Sequence, residues 1–212
     1  MTNTKRPSSD VAFSPSVKAV QARRGSREAF ARMEEERGGW RTAITADMAA
    51  FVGEVRSFYL ATASADGQPY VQHRGGPPGF LKVLDEHTLA FADFKGNRQY
   101  ITSGNLAENP RAQMFIMDYA QRRRLKIWGR ARIVEDDDAL LARLWPEGYK
   151  ARPEQVIVFE VDAWDTNCAQ HIPQLFAAED VARTILQFQA RIRELEEDVA
   201  ALKAARSESA GT

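Results

Sequence analysis

Between Phe58 and Val134 the chain alternates short β-rich runs with tight turns, and nothing else in the sequence constrains the fold as much. The runs are Phe58 to Ser64, Tyr70 to Arg74, Thr88 to Asp93, Ala112 to Asp118 and Arg124 to Val134, and Gln155 to Val161 closes the series. Asp66-Gly67 is a strong hairpin signal, because this pair tolerates the positive φ that tight turns require. Gly75-Gly76-Pro77-Pro78-Gly79 interrupts the second run, which resumes from Phe80 to Leu84. About six strands at this spacing, with few helices between them, favour an antiparallel barrel over a parallel βαβ sheet. Arginines and glycines stand where the strands end, as they do where a small barrel presents a groove to a planar, phosphate-bearing ligand.

Helical segments flank this stretch. Residues 1 to about 16 are rich in Ser, Thr and Pro and are expected to be mobile. A polar helix is expected from Val17 to Arg37, ended by Gly38-Gly39. Thr45 is a plausible N-cap for a short helix with Met48, Phe51, Val52 and Val55 on its apolar face. Another short helix is expected from Arg98 to Leu106. A third, from Asp137 to Leu144, opens on acidic residues that suit a helix N-terminus. From Ala178 to Arg206, Ile185, Phe188, Ile192, Leu195, Val199 and Leu202 alternate in steps of three and four. That pattern fits an amphipathic helix lying on the barrel and a short dimeric zipper equally well. Three regions result: 1–44, a mobile terminus and polar helix; 45–177, the barrel; 178–212, the C-terminal helix.

Composition narrows the classes of function. Lys plus Arg and Asp plus Glu both number 29, so no net charge points to nucleic acid. A single cysteine, Cys168, allows no intrachain disulfide and suits a reducing compartment, and a cytoplasmic location is the expectation. No apolar run approaches the length of about 18 residues that reads as a membrane helix.

The chemistry concentrates at strand ends. Ala92-Asp93-Phe94-Lys95-Gly96-Asn97-Arg98-Gln99 forms a glycine-containing loop before a helix, and Arg98 can grip a phosphate bidentately. His73-Arg74-Gly75 ends the second strand. Glu108-Asn109-Pro110-Arg111-Ala112 precedes an apolar strand, and Trp128-Gly129-Arg130 follows Arg124 on the next. In order and spacing these segments resemble the FMN-binding split barrels of the pyridoxamine 5'-phosphate oxidase-like family. The resemblance runs from about residue 45 to 165.

It implies a mostly β (α+β) split β-barrel with flanking helices, acting as a homodimer in which two protomers build each flavin site. It implies FMN as cofactor, with the deazaflavin F420 or haem as alternatives, and an oxidoreductase acting on a small organic substrate. A flavin-binding module without turnover stays open. The cofactor-binding candidates are His73, Arg74, Gly75, Ala92, Asp93, Gly96, Asn97, Arg98, Gln99 and Arg124. His73 and His171 are weak catalytic candidates. Asn167 to His171 resembles a tail segment of one branch of the family. Cys168 and His171 have no grouped third ligand, so no metal site is expected.

The chain departs from the true oxidases where these hold the substrate's own phosphate. Gly79 stands at the ungapped lysine position, and no Tyr-x-x-x-Arg-x-x-x-Ser array follows Trp145. The Arg-Leu-His-Asp-Arg type of tail is also absent.

Overall fold

The computed structural model describes residues 6–166 and 169–209. Two compact units divide them. One holds the described residues up to Asp118 and from Arg122 to Gln170; the other holds Tyr119–Gln121 and the described residues from His171 onward.

The first unit is a single antiparallel sheet of seven strands. They are β1 (Ser57–Ala63), β2 (Pro69–Gly75), β3 (Leu81–Asp85), β4 (Thr88–Phe94), β5 (Arg111–Asp118), β6 (Arg123–Val134) and β7 (Pro153–Thr166). Their order across the sheet is β2-β1-β5-β6-β7-β4-β3. Along β6 the burial alternates residue by residue, so Leu125 and Ile127 face the core while Arg124, Lys126 and Trp128 face outward. Phe58 of β1 stacks on Phe80 at 5.7 Å and meets Phe91 of β4 edge-on at 5.1 Å. The two ends of the sheet therefore share one core, and the sheet curls into a barrel. No ladder joins β2 to β3, which leaves the barrel split at that seam.

The seven strands correct one expectation. Phe80 to Leu84 does not resume β2; β3 lies at the opposite edge and pairs with β4. The reversal rests on glycine. A Cβ on Gly76 would lie 2.6 Å from the Phe80 ring, and Gly79 has φ +82.

Helices cover the ends. α1 (Pro15–Arg24) and α2 (Arg27–Arg37) replace the one polar helix expected, because Gly25 takes a left-handed φ of 79° and caps α1. Within the segment expected to be mobile, residues 8–11 are tied down. Ser8–Val11 forms a 3-10 turn, with the Ser8 amide donating to Gly38 O at 2.8 Å. α3 (Ala46–Glu54) is capped by Thr45, whose hydroxyl accepts from the Met48 amide at 3.3 Å, and it buries Met48 and Val52. α4 (Ile101–Glu108) follows the glycine loop, and α5 (Asp138–Leu144) is capped by the Asp137 carboxylate.

The second unit is built on α6 (Ala178–Ser209), one continuous helix of 32 residues. Among the described residues no helix is long and apolar enough to cross a membrane.

Candidate functional site

Two openings in the barrel unit carry the chemistry. The smaller is a cleft of about 50 Å³ where β2, β4, β7 and the loop before α4 converge. Alternation along β2 points Gln72 and Arg74 toward it. Arg74 crosses the split of the barrel to Asp93 on β4. Its Nε lies 3.1 Å from Asp93 Oδ1, yet off the line a hydrogen bond needs, so that buried nitrogen has no hydrogen-bond partner. Asp93 is steadied from the other side by Gln155 on β7, whose Nε2 donates to its Oδ2 at 2.9 Å and to Ser103 Oγ at 3.1 Å.

The loop opens this cleft further. Arg98 and Tyr100 both take positive φ, 62° and 53°, which swings the chain sharply before α4. Arg98 therefore sits in the loop, where the sequence pattern places it at the helix start. Its Nε donates to the Tyr100 hydroxyl at 3.1 Å, and that hydroxyl donates to Glu154 at 3.1 Å. The Tyr100 contact, with Glu154 behind it, holds the Arg98 guanidinium above its ordinary pKa. Tyr100, as N-cap, offers α4 no side-chain acceptor, and Thr102 and Ser103 of the first turn line the cleft. A Cβ on Gly96 would meet no protein atom within 4 Å, which leaves free space at the lip.

The larger opening, about 770 Å³, lies between β6, β7, α3 and the N-terminal helices. Aromatic rings and cations wall it. Trp40 stacks on Trp128 at 4.5 Å with 13° between the planes, and Phe13 meets Trp40 edge-on at 4.9 Å. Lys126 Nζ stands 5.4 Å from the Trp40 ring centre and 5.2 Å from that of Trp128, and 3.1 Å from Asp165. Arg41 lies over Trp164 at 5.1 Å. Arg37, Arg41, Arg123, Arg124 and Lys126 outnumber the carboxylates of Asp47 and Asp165 in this lining. Arg124 Nε is buried and has no hydrogen-bond partner.

The sequence candidates sort accordingly. Arg74, Asp93, Gly96, Asn97 and Arg98 share the small cleft. Gln99 does not line it. Its amide donates to Asn97 Oδ1 at 3.2 Å and its side chain accepts from Asn97 Nδ2, which fixes Asn97 in the loop. Gly75 follows Arg74 in β2, outside the lining. The Ala92 side chain is buried beneath the cleft beside Val156 and Val158. His73 points to the opposite face of β2 from Arg74, where it meets Tyr59 edge-on at 5.7 Å. Arg124 belongs to the larger cavity. His171 lies in the second unit with φ 64°, and Asn167 and Cys168 fall outside the described residues. Tyr100, Glu154 and Gln155 escape sequence reasoning, although a glutamine opening the apolar run Val156–Phe159 is itself a signal. So does the N-terminal wall of Phe13, Phe30 and Trp40.

Comparison with known proteins adds the following. The family model for pyridoxamine 5'-phosphate oxidase matches residues 44–168. Among solved structures, HupZ of Group A Streptococcus gives a TM-score of 0.48 at 19% identity, over 63% of this chain and 99% of that one. An FMN-binding protein from Syntrophomonas wolfei gives 0.47 at 12% identity, over 71% and 97%. An F420 reductase gives 0.41 at 22% identity, over 55% and 94%. No curated protein matches the sequence.

Proposed function

The chain belongs to the pyridoxamine 5'-phosphate oxidase family, matched over residues 44–168, and from that premise we propose that it is an FMN-dependent oxidoreductase acting on a small organic substrate. The observation that carries this reading is the cleft at Arg74 and the Gly96–Arg98 loop. There the guanidinium groups of Arg74 and Arg98 meet the first turn of α4, which has no side-chain cap. Asp93 already gives Arg74 a carboxylate at 3.1 Å, so the exposed Arg98 guanidinium is the cation left for an incoming phosphate. At about 50 Å³ the cleft has room for a few water-sized groups, the scale of a phosphate and too small for a ring system. The aromatic, cation-rich cavity is within the usual range of roughly 300–1,000 Å³ for small-molecule sites.

Two protomers then build each site. Arg74 and Arg98 of one hold the phosphate, while Arg124 and Lys126 of the other meet the ring. When bound, the flavin supplies hydride transfer. The protein residues orient it, neutralise its charge and exclude water. Arg98, charged as arginines are and held by Tyr100, grips without exchanging a proton.

FMN titration of the full chain tests this. Arg98→Ala loses a charge-assisted contact to the phosphate, so its Kd rises about tenfold or more. An unchanged Kd removes Arg98 from the site. A lone deazaflavin absorption band in the purified protein replaces FMN by F420.

The substrate is not pyridoxamine 5'-phosphate. After Trp145 the chain turns at once, with Trp145 Nε1 donating to Tyr149 O at 3.0 Å, and Tyr149 packs on Phe94. No second phosphate-binding array of the true oxidases is formed there. Pyridoxal phosphate production by the FMN-loaded protein is expected to be negligible. Turnover of about 1 per second or more, the ordinary enzymatic range, overturns this.

A further inference from the structure

We propose that α6 pairs in parallel with α6 of a second copy of this chain, as a two-stranded coiled coil. The proposal is independent of the flavin reading.

The helix runs unbroken for 32 residues, roughly 48 Å at the usual rise. Its apolar residues are on the surface. Exposure runs from 44% at Val181 and 45% at Leu195 to 65% at Phe188 and 70% at Leu202. With Val181 included, the steps to Ile185, Phe188, Ile192, Leu195, Val199 and Leu202 alternate four and three without a break. This is a heptad seam carrying Ile185, Ile192 and Val199 at a, and Val181, Phe188, Leu195 and Leu202 at d. β-Branched residues at a, with leucine prominent at d, favour two parallel strands. Arg206 takes the next a position and ends the seam.

The flanking charges choose the partner and its direction. In a parallel pair, Arg191 at g faces Glu196 at e of the second copy, and Asp198 at g faces its Lys203 at e. An antiparallel pair centred between Ile192 and Leu195 sets Arg191 against Asp198. It leaves Glu196 opposite Gln189 and Lys203 opposite Ala182. Parallel pairing satisfies every e and g charge on this stretch; antiparallel pairing satisfies half of the types. Within its own helix Arg191 is bonded to Glu194 at 2.8 Å, but both side chains are more than 60% exposed, and such pairs exchange readily.

Disulfide trapping in the full chain tests the proposal locally, whatever else holds two copies together. Cys168→Ser provides a background free of other thiols. In that background Val199→Cys places a thiol at an a position, and Ala204→Cys places one at f, on the outside. Under mild oxidation at micromolar protein, Val199→Cys should form covalent dimer about a hundredfold faster than Ala204→Cys, because pairing gives the buried thiols a millimolar effective concentration. Adding Glu196→Arg should slow the trapping. Adding Arg191→Glu together with Glu196→Arg should restore it. Equal rates for the a and f thiols overturn the coiled coil. Mixed dimers between Val199→Cys and Phe188→Cys chains, with no Val199→Cys homodimer, overturn its parallel direction.

Discussion

Gly129 leaves no room for a side chain. A Cβ there would lie 2.0 Å from the Glu160 carbonyl oxygen and 2.6 Å from the Phe159 ring, at the register shift between β6 and β7. The obstacle is backbone in the longest ladder of the sheet, so it cannot swing aside. Gly129→Ala is therefore expected at the upper end of the overpacking range of about 1–3 kcal/mol. For a chain of this size that lowers Tm by roughly 5–12 °C. A melting curve within about 1 °C of the parent would show that the ladder yields. Arg98 carries a prediction of a different kind. Its guanidinium is charged at every working pH, as any arginine's is, and Tyr100, then Glu154, raise its pKa further. The phosphate of FMN does not stay constant: its second ionisation lies near pH 6. Below that value the ligand loses a charge while Arg98 keeps its own, so FMN affinity should weaken as pH falls through about 6. Riboflavin, which lacks the phosphate, should show no such step. The same step in riboflavin binding would assign it to a protein group instead.

At the scale of elements, the readable parts are those written in local chemistry. Thr45 and Asp137 cap the helices they precede, and Gly67, with φ +92, makes the turn that Asp66-Gly67 announces. The β-rich run Arg124 to Val134 is β6 to within one residue. What was missed is partly local: Gly25 caps α1 through Ala22 and Gln21, and β3 meets β4 in a tight hairpin across Glu86-His87. The left-handed Arg98 and Tyr100 depend on a distant partner, since the Tyr100 hydroxyl donates to Glu154. The site divides the same way. Arg74 and Arg98 are visible as cations at strand ends, whereas Gln155 and Glu154 join them only because β7 pairs with β4. The wall formed by Phe13, Phe30 and Trp40 is the clearest omission, since nothing local says where the N-terminal helices fold back. Its strength can be measured. Trp40→Ala removes the stack on Trp128 and the edge contact with Phe13, and a half-buried indole of this kind is worth about 2–3 kcal/mol. The sheet core does not contain Trp40, so the loss should be local. Hydrogen exchange of residues 8–37 is expected to quicken while β5 and β6 stay protected. Uniform acceleration across the sheet would show that the helices are part of the cooperative core.

For the whole molecule, the separation of the two openings is the decisive fact. Arg74 and Arg98 line one, Arg124 and Lys126 the other. If one ligand spans both through a second protomer, cofactor binding and assembly must be coupled, and the coupling is reciprocal. The outward face of the sheet offers the surface for this. Tyr59 on β1 is 42% exposed and Val71 on β2 is 59% exposed, while Tyr59 is opposite His73 on one side and Phe115 on the other. Tyr59→Glu puts a charge at the centre of that row. The position is exposed, so monomer stability should change by no more than about 0.5 kcal/mol. Arg98 and its cleft are untouched by the substitution. FMN affinity should nevertheless fall, at least as far as in Arg98→Ala, because half of each site is withdrawn. Circular dichroism melting run beside the FMN titration separates this from misfolding. A stable Tyr59→Glu chain that binds FMN as tightly as the parent would place the whole flavin within one protomer. The larger cavity would then need a ligand of its own.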